Sequence, residues 1–220
     1  MTRRTTVVVI VKAPVAGQVK TRLCPPCTPE EAAYLAEAAL RDTLAAVAAT
    51  PGISRAIALE GEPGEWLRPG FQVYRQRGDG LGERLANVVR DVGGPALVIA
   101  ADTPQITPAL LTGARGQLAR TDAVLGPARD GGYWIIGLRR GDGTAFDGVP
   151  MSSPETGRRQ VSRLRLLGYR VRLLPELRDV DDIDDALEVA RAAPRTRFAA
   201  ALASLTLPAL ESGTALLGER

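Results

Sequence analysis

The sequence predicts an α/β protein, a three-layer α/β/α arrangement around a mostly parallel, mixed sheet. Two stretches carry this expectation: residues 6–11 (TVVVIV) and 95–101 (PALVIAA) are unbroken apolar runs, the pattern of strands buried on both faces. These and weaker strand-like stretches alternate with segments of helical spacing, and strands separated by helices pair in parallel beneath helices on both faces. At 220 residues, with 45% hydrophobic and 24% charged side chains, the chain is sized and composed for one globular core.

Taken in order, the first strand runs over 6–11 and gives way to a loop, 13–23, punctuated by Pro14 and Gly17. Thr28-Pro29-Glu30-Glu31 then supplies an N-cap, a proline at the first helical position and a capping-box glutamate, starting a helix that reaches about Ala49. Residues 53–60 and 71–75 read as strands, and Leu81, Leu85, Val88, Val89 and Val92 mark a helix over 81–92. The strand over 95–101 ends at Asp102-Thr103-Pro104, and Thr107-Pro108 caps a helix to about Leu118. Two strands, 123–126 and 133–138, flank a turn at 127–132. Ser153-Pro154 is expected to open the next helix, 169–174 a strand, and Asp182 a last capped helix to Ala193. Residues 1–193 are thus expected as a single domain. The Ala/Leu-rich remainder, 194–220, broken at Pro208, reads as a peripheral helical tail.

Composition removes several chemistries. With no histidine, Ser-His-Asp and Cys-His nucleophile systems and histidine metal ligands are excluded, so acid/base or metal work falls on carboxylates. A net charge of +3 does not imply nucleic-acid binding. No apolar run approaches bilayer length, and the start of the chain lacks a cleavable leader pattern, so a cytoplasmic location is expected. Cys24-Pro25-Pro26-Cys27 has no second pair to complete a zinc site and no strand-to-helix context for redox chemistry, and reads as an inert loop. Of the 28 basic residues only Lys12 and Lys20 are lysines, both at the start of the chain, as if a compact ammonium is needed there.

In open α/β sheets, ligands bind beyond the carboxyl ends of the strands, which directs attention to three segments. The loop from Lys12 to Leu23 (KAPVAGQVKTRL) combines glycine with Lys20 and Arg22 and suits phosphates, although it is neither a GxxxxGK[ST] loop nor a GxGxxG turn. Its plainer reading is a charged surface loop. Asp102 sits where a hard cation bridging phosphate oxygens is held, and alternatively caps the following turn. Residues 179–185 (DVDDIDD) hold five acids; Asp182 is the obvious helix cap, leaving Asp181 as a candidate second ligand. Gly131 and Gly132 permit a close approach of backbone to a ligand, or simply a tight turn, and Gly82 and Arg84 lie at a glycine-rich helix entry.

The ordered run KAPVAGQVKTRL, GLGERL, AADTP, GPARDGGYWIIGL and DVDDIDD resembles a bacterial transferase family of the nucleotide-diphospho-sugar transferase (GT-A-like) superfamily. It is also similar to the 2-phospho-lactate and phosphoenolpyruvate guanylyltransferases, which share the K-x-R-L loop, D-x-P, D-G-G and D-x-D features. The resemblance spans roughly residues 6–190 and implies the GT-A-like, Rossmann-like fold. It further implies a nucleotide contacted by Lys12, Pro14, Gly17, Lys20, Arg22, Gly82, Arg84, Gly131 and Gly132, with Lys20, Arg22 and Asp102 catalytic. Mg2+, or Mn2+, would be held by Asp102 and Asp181. Three departures touch the acceptor side: Gly80 replaces an aspartate, with Asp79 one step earlier; Gln105 follows the D-T-P; and Met151 replaces a tryptophan. The function implied is metal-dependent transfer of a nucleotidyl group from an NTP to a small phosphorylated or hydroxyl acceptor. Glycosyl transfer from an NDP-sugar is the alternative, and a non-catalytic nucleotide-binding protein the third reading. The expected partners are therefore a nucleotide and a small-molecule acceptor, without nucleic acid or membrane.

Overall fold

The computed structural model describes residues 4–206. Seven strands form one sheet: β1 (Thr6–Lys12), β2 (Ser54–Glu60), β3 (Gln72–Arg75), β4 (Ala96–Ala100), β5 (Ala123–Pro127), β6 (Tyr133–Leu138) and β7 (Val171–Leu173). Their order across the sheet is β3-β2-β1-β4-β6-β5-β7. All neighbours are parallel except β6, which runs antiparallel to both β4 and β5. The β5–β6 connection is too short for a crossover, and a short connection leaves only the hairpin. This is the mixed, mostly parallel sheet that the sequence predicts.

Six helices complete the described fold: α1 (Pro29–Ala49), α2 (Leu81–Val92), α3 (Pro108–Leu118), α4 (Thr156–Leu166), α5 (Ile183–Ala192) and α6 (Arg197–Ala203). Leu40, Leu44 and Val47 of α1 and Leu111 and Leu118 of α3 pack on one face of the sheet with Val7, Val9, Leu97 and Ile99. On the other face, Leu85, Val88 and Val89 of α2 and Leu164 of α4 meet Val8, Val98 and Ile136. Successive side chains of a strand point to opposite faces, so both faces can be filled only by a continuous apolar run. Val7, Val8 and Val9 are accordingly all solvent-inaccessible.

The helix starts follow local chemistry. Thr28 forms the predicted capping box, its Oγ1 accepting from Glu31 N at 3.2 Å while Glu31 Oε2 accepts from Thr28 N at 2.7 Å. α4 departs from expectation: Ser152 adopts φ 56°, Ser153 and Glu155 form a turn, and the helix begins at Thr156 rather than at Ser153-Pro154. Its entry is fixed by Thr156, whose hydroxyl donates to Pro150 O at 2.9 Å, and by Gly157 N, which donates to Gly131 O at 2.8 Å.

Beyond residue 193, α6 folds back on α1 and α5. Phe198 is 1% exposed and packs among Leu35, Ala39 and Val189. Asp42 of α1 caps α6 from outside, accepting from Arg197 N at 3.1 Å and Phe198 N at 2.8 Å. Pro208, where a break in the tail is expected, lies outside the described residues.

Candidate active site

At the point where β2 and β4 flank β1, the chain departs in two directions and leaves a crevice beyond the strand ends. A cleft of about 480 Å³ occupies it, lined by Lys12, Pro14, Lys20, Arg22, Glu60, Gln76, Arg84, Asp102 and Asp181, with Leu35, Leu40 and Phe198 forming its apolar wall. The loop after β1 is drawn over this cleft by Gly17 at φ 74° and by Lys20, a non-glycine residue in the left-handed region at φ 47°, ψ 40°. Lys20 then leads into a single 3-10 turn, Thr21–Leu23, anchored by the wholly buried Leu23.

The left-handed bend points Lys20 at the end of β4. Its Nζ donates to Asp102 Oδ2 at 2.7 Å and reaches Asp181 Oδ1 at 3.4 Å, while Arg22 donates to Asp181 Oδ2 at 2.9 Å. Lys20 is 18% exposed and Arg22 75%, so the ammonium is enclosed and the guanidinium faces solvent. Burial works to lower the Lys20 pKa, but the charge and hydrogen bond of Asp102, with Asp181 and Asp179, raise it above the ordinary lysine value. Lys20 is therefore charged at neutral pH.

Asp102, Asp179 and Asp181 each bring a carboxylate oxygen within 4.8 Å of the others. Burial, then the charges of Asp102, Asp130 and Asp181, push Asp179 up to about 7. Asp102 Oδ1 is buried and has no hydrogen-bond partner within the protein. An orphaned carboxylate oxygen beside two further carboxylates, without nitrogen or sulfur donors, fits a hard divalent cation such as Mg2+ or Mn2+. The rest of the acidic run is spent otherwise: Asp182 and Asp185 form the capping box of α5, and Asp185 also takes Arg178 at 2.8 Å.

Of the residues proposed from sequence, Lys12, Pro14, Lys20, Arg22, Arg84, Asp102 and Asp181 line this one cleft. Gly17 lies in its covering loop. Gly82 instead faces Met151, with a Cβ position 3.4 Å from Met151 Cε. Gly131, at φ 91°, is packed so closely on the turn before α4 that a Cβ would stand 2.1 Å from Pro154 O, and Gly132 N donates to Asp130 Oδ1 at 2.7 Å. The close contacts at Gly131 and Gly132 are to Pro154 and Asp130, and neither glycine is among the residues lining the cleft.

Three residues of the site were not singled out in the sequence: Asp179, in the pocket adjoining the cleft, and Glu60 and Gln76 in the cleft itself. Asp179 belongs to a D-x-D spacing, and alternate residues of an extended segment share a side, which is the signal that pairs it with Asp181. Glu60, at the end of β2, is bound by Arg84 and lies 3.6 Å from Lys12. Gln76 donates to Val11 O at 2.8 Å and Ala58 O at 2.9 Å, tying the ends of β1 and β2. Both depend on pairing across the sheet and have no local signature. Cys24 and Cys27 are free thiols, and burial, with the charge of Glu31, raises the Cys27 pKa, opposite to what a reactive thiol needs.

Among the described residues, no helix is long and apolar enough to cross a membrane. No curated protein matches the chain. Among solved structures, a Desulfovibrio desulfuricans G20 protein, provisionally named a nucleotide-diphospho-sugar transferase, is 28% identical with a TM-score of 0.83, over 92% of this chain and 95% of that one. The 2-C-methyl-D-erythritol 4-phosphate cytidylyltransferase of Thermus thermophilus shares the fold at 16% identity and a TM-score of 0.55, over 87% of this chain and all of that one, 100%. The Rv0371c protein of Mycobacterium tuberculosis H37Rv, solved in complex with manganese, does so at 19% identity and 0.54, over 87% and 100%. The fold is that of the nucleotide-diphospho-sugar transferase superfamily. Residues 35–153 match the family described as an uncharacterized protein conserved in bacteria (DUF2064), and with more than half of its length matched the chain belongs to that family.

Proposed function

We propose that this protein is a metal-dependent nucleotidyltransferase that moves NMP from an NTP to a small phosphorylated or hydroxyl acceptor, releasing pyrophosphate. The observation that carries the reading is the convergence of Lys20 and Arg22 on Asp102 and Asp181 at the mouth of the cleft. Phosphoryl-group chemistry needs positioning and charge stabilisation more than covalent help, so a chain without histidine can perform it. Asp102, Asp181 and Asp179 would hold the divalent cation, which when bound supplies charge neutralisation at the reacting phosphates.

In this reading an acceptor oxygen forms a bond to the α-phosphorus as the bond to the bridging oxygen of pyrophosphate breaks, the electron pair leaving with pyrophosphate. Lys20 and Arg22 would take the β- and γ-phosphates, where negative charge accumulates. A phosphate acceptor brings no proton to remove, in keeping with a site that has no histidine base; a hydroxyl acceptor would release its proton to solvent as the new bond forms. The cytidylyltransferase among the fold's neighbours, and the manganese in another, support the reading.

Glycosyl transfer from an NDP-sugar is the second reading, favoured by the name given to the Desulfovibrio protein. Incubation of each NTP and each sugar nucleotide with Mg2+ and a panel of phosphorylated and hydroxy acids decides between them. Acceptor-dependent release of pyrophosphate is expected for nucleotidyl transfer. Product formed only from sugar nucleotides, with no pyrophosphate from any NTP, would replace it with glycosyl transfer.

A further inference from the structure

Lys20 stands against two of the carboxylates that would hold the proposed cation. Its ammonium lies 2.7 Å from Asp102 Oδ2 and 3.4 Å from Asp181 Oδ1, oxygens of two of the three carboxylates that fit a divalent ion. It is held there by the backbone: Lys20 and Ser152 are the two non-glycine residues with positive φ among the described residues, and only Lys20 lines the cleft. Arg22 is different, because it touches Asp181 alone and from the solvent side. An ammonium and a divalent cation cannot share these oxygens, since like charges a few ångströms apart in an enclosed site repel strongly.

We propose that Lys20 is a tethered counter-ion, neutralising Asp102 and Asp181 in the free protein and yielding them to the metal only when a nucleotide phosphate offers its ammonium another anion. The four-carbon stem lets the charge move without moving the loop. Because the same amine serves either the carboxylates or the phosphate, nucleotide strengthens metal binding, and by linkage metal strengthens nucleotide binding to the same degree. Metal alone binds weakly. The proposal rests on the reading of Asp102 and Asp181 as cation ligands.

The test is Mn2+ binding, read from the loss of the free-ion electron paramagnetic resonance signal, for the full chain without nucleotide. Wild type, Lys20→Met, Arg22→Met and the double variant Asp102→Asn/Lys20→Met are compared, each checked for an intact melting transition. Lys20→Met is expected to bind Mn2+ about tenfold or more tighter than wild type. Arg22→Met removes the same charge without vacating the space between the carboxylates, and is expected to stay within about threefold of wild type. Should Lys20→Met gain no more than Arg22→Met, the counter-ion role is overturned while the metal site stands. If neither wild type nor Lys20→Met binds Mn2+, or the double variant binds as well as Lys20→Met, the metal reading falls and the counter-ion role with it.

Discussion

Val180 donates its backbone N–H to the carbonyl oxygen of Asp102 at 3.0 Å, so the carboxylates on either side of Val180 are held against the end of β4. Gln105, whose side-chain amide donates to Arg178 O, reinforces the same junction. Residues almost eighty positions apart thereby become one acidic site. Val180 is 2% exposed and packs with Leu23, Leu35 and Phe198, so the loop bearing Lys20 and Arg22 rests on the same apolar cluster.

Asp102→Asn is expected to abolish Mg2+-dependent nucleotide binding while shifting the melting temperature of the apo protein little. The substitution keeps the side-chain shape, and relief of one of three mutually repelling carboxylates offsets the loss of the charge paired with Lys20. Calorimetric titration with an NTP, with and without Mg2+, checks it. A variant that binds as the parent does would make Asp102 a structural residue.

Asp179 predicts a pH dependence. Its folded-state pKa is raised to about 7, above the ordinary carboxylate value of the unfolded chain. Between about pH 4 and pH 7 the folded state therefore holds more protons at this residue than the unfolded state, and its contribution to stability declines as pH rises. Asp179→Asn is expected to raise the apo melting temperature more at pH 8 than at pH 5. An equal shift at both pH values would contradict the placement of Asp179 among repelling charges.

Two glycines with positive φ differ in surroundings. Gly131→Ala drives a Cβ into Pro154 O, 2.1 Å away, and is expected to cost about 2 to 3 kcal/mol in urea unfolding. Gly17→Ala meets nothing within 4 Å and carries only the left-handed backbone penalty, about 1 kcal/mol.

Phe198→Ala is expected to destabilise the protein by about 3 kcal/mol, because the ring is fully enclosed between α1 and α5. Urea unfolding should remain a single transition if α6 is part of the cooperative unit. A separate early transition would mark α6 as an independent appendage.

Much of the fold was legible because burial leaves a mark in local sequence. The valines of β1 and the apolar run of β4 can only be strands covered on both faces, and Thr28 with Glu31 states where α1 begins. The loop bearing Lys20 and Arg22, and the aspartate ending β4, follow from the rule that ligands lie beyond strand ends. What could not be read depends on the far partner. Glu60 and Gln76 enter the cleft because β2 lies beside β1 and β3 beside β2, and nothing around either residue specifies that neighbour. Gly131 and Gly132 announced a close approach without saying to what: the structure sets Pro154 against Gly131 and the Asp130 carboxylate against Gly132.

Metal-dependent use of an NTP is tested most directly by thermal stabilisation with ATP, GTP, CTP and UTP and with UDP-, GDP- and dTDP-sugars, each with and without Mg2+, since a ligand that binds only the native state raises its melting temperature. A Mg2+-dependent shift with an NTP, lost in Asp102→Asn, is the expected result. A shift with sugar nucleotides alone, or one from an NTP that persists undiminished without Mg2+, would contradict it.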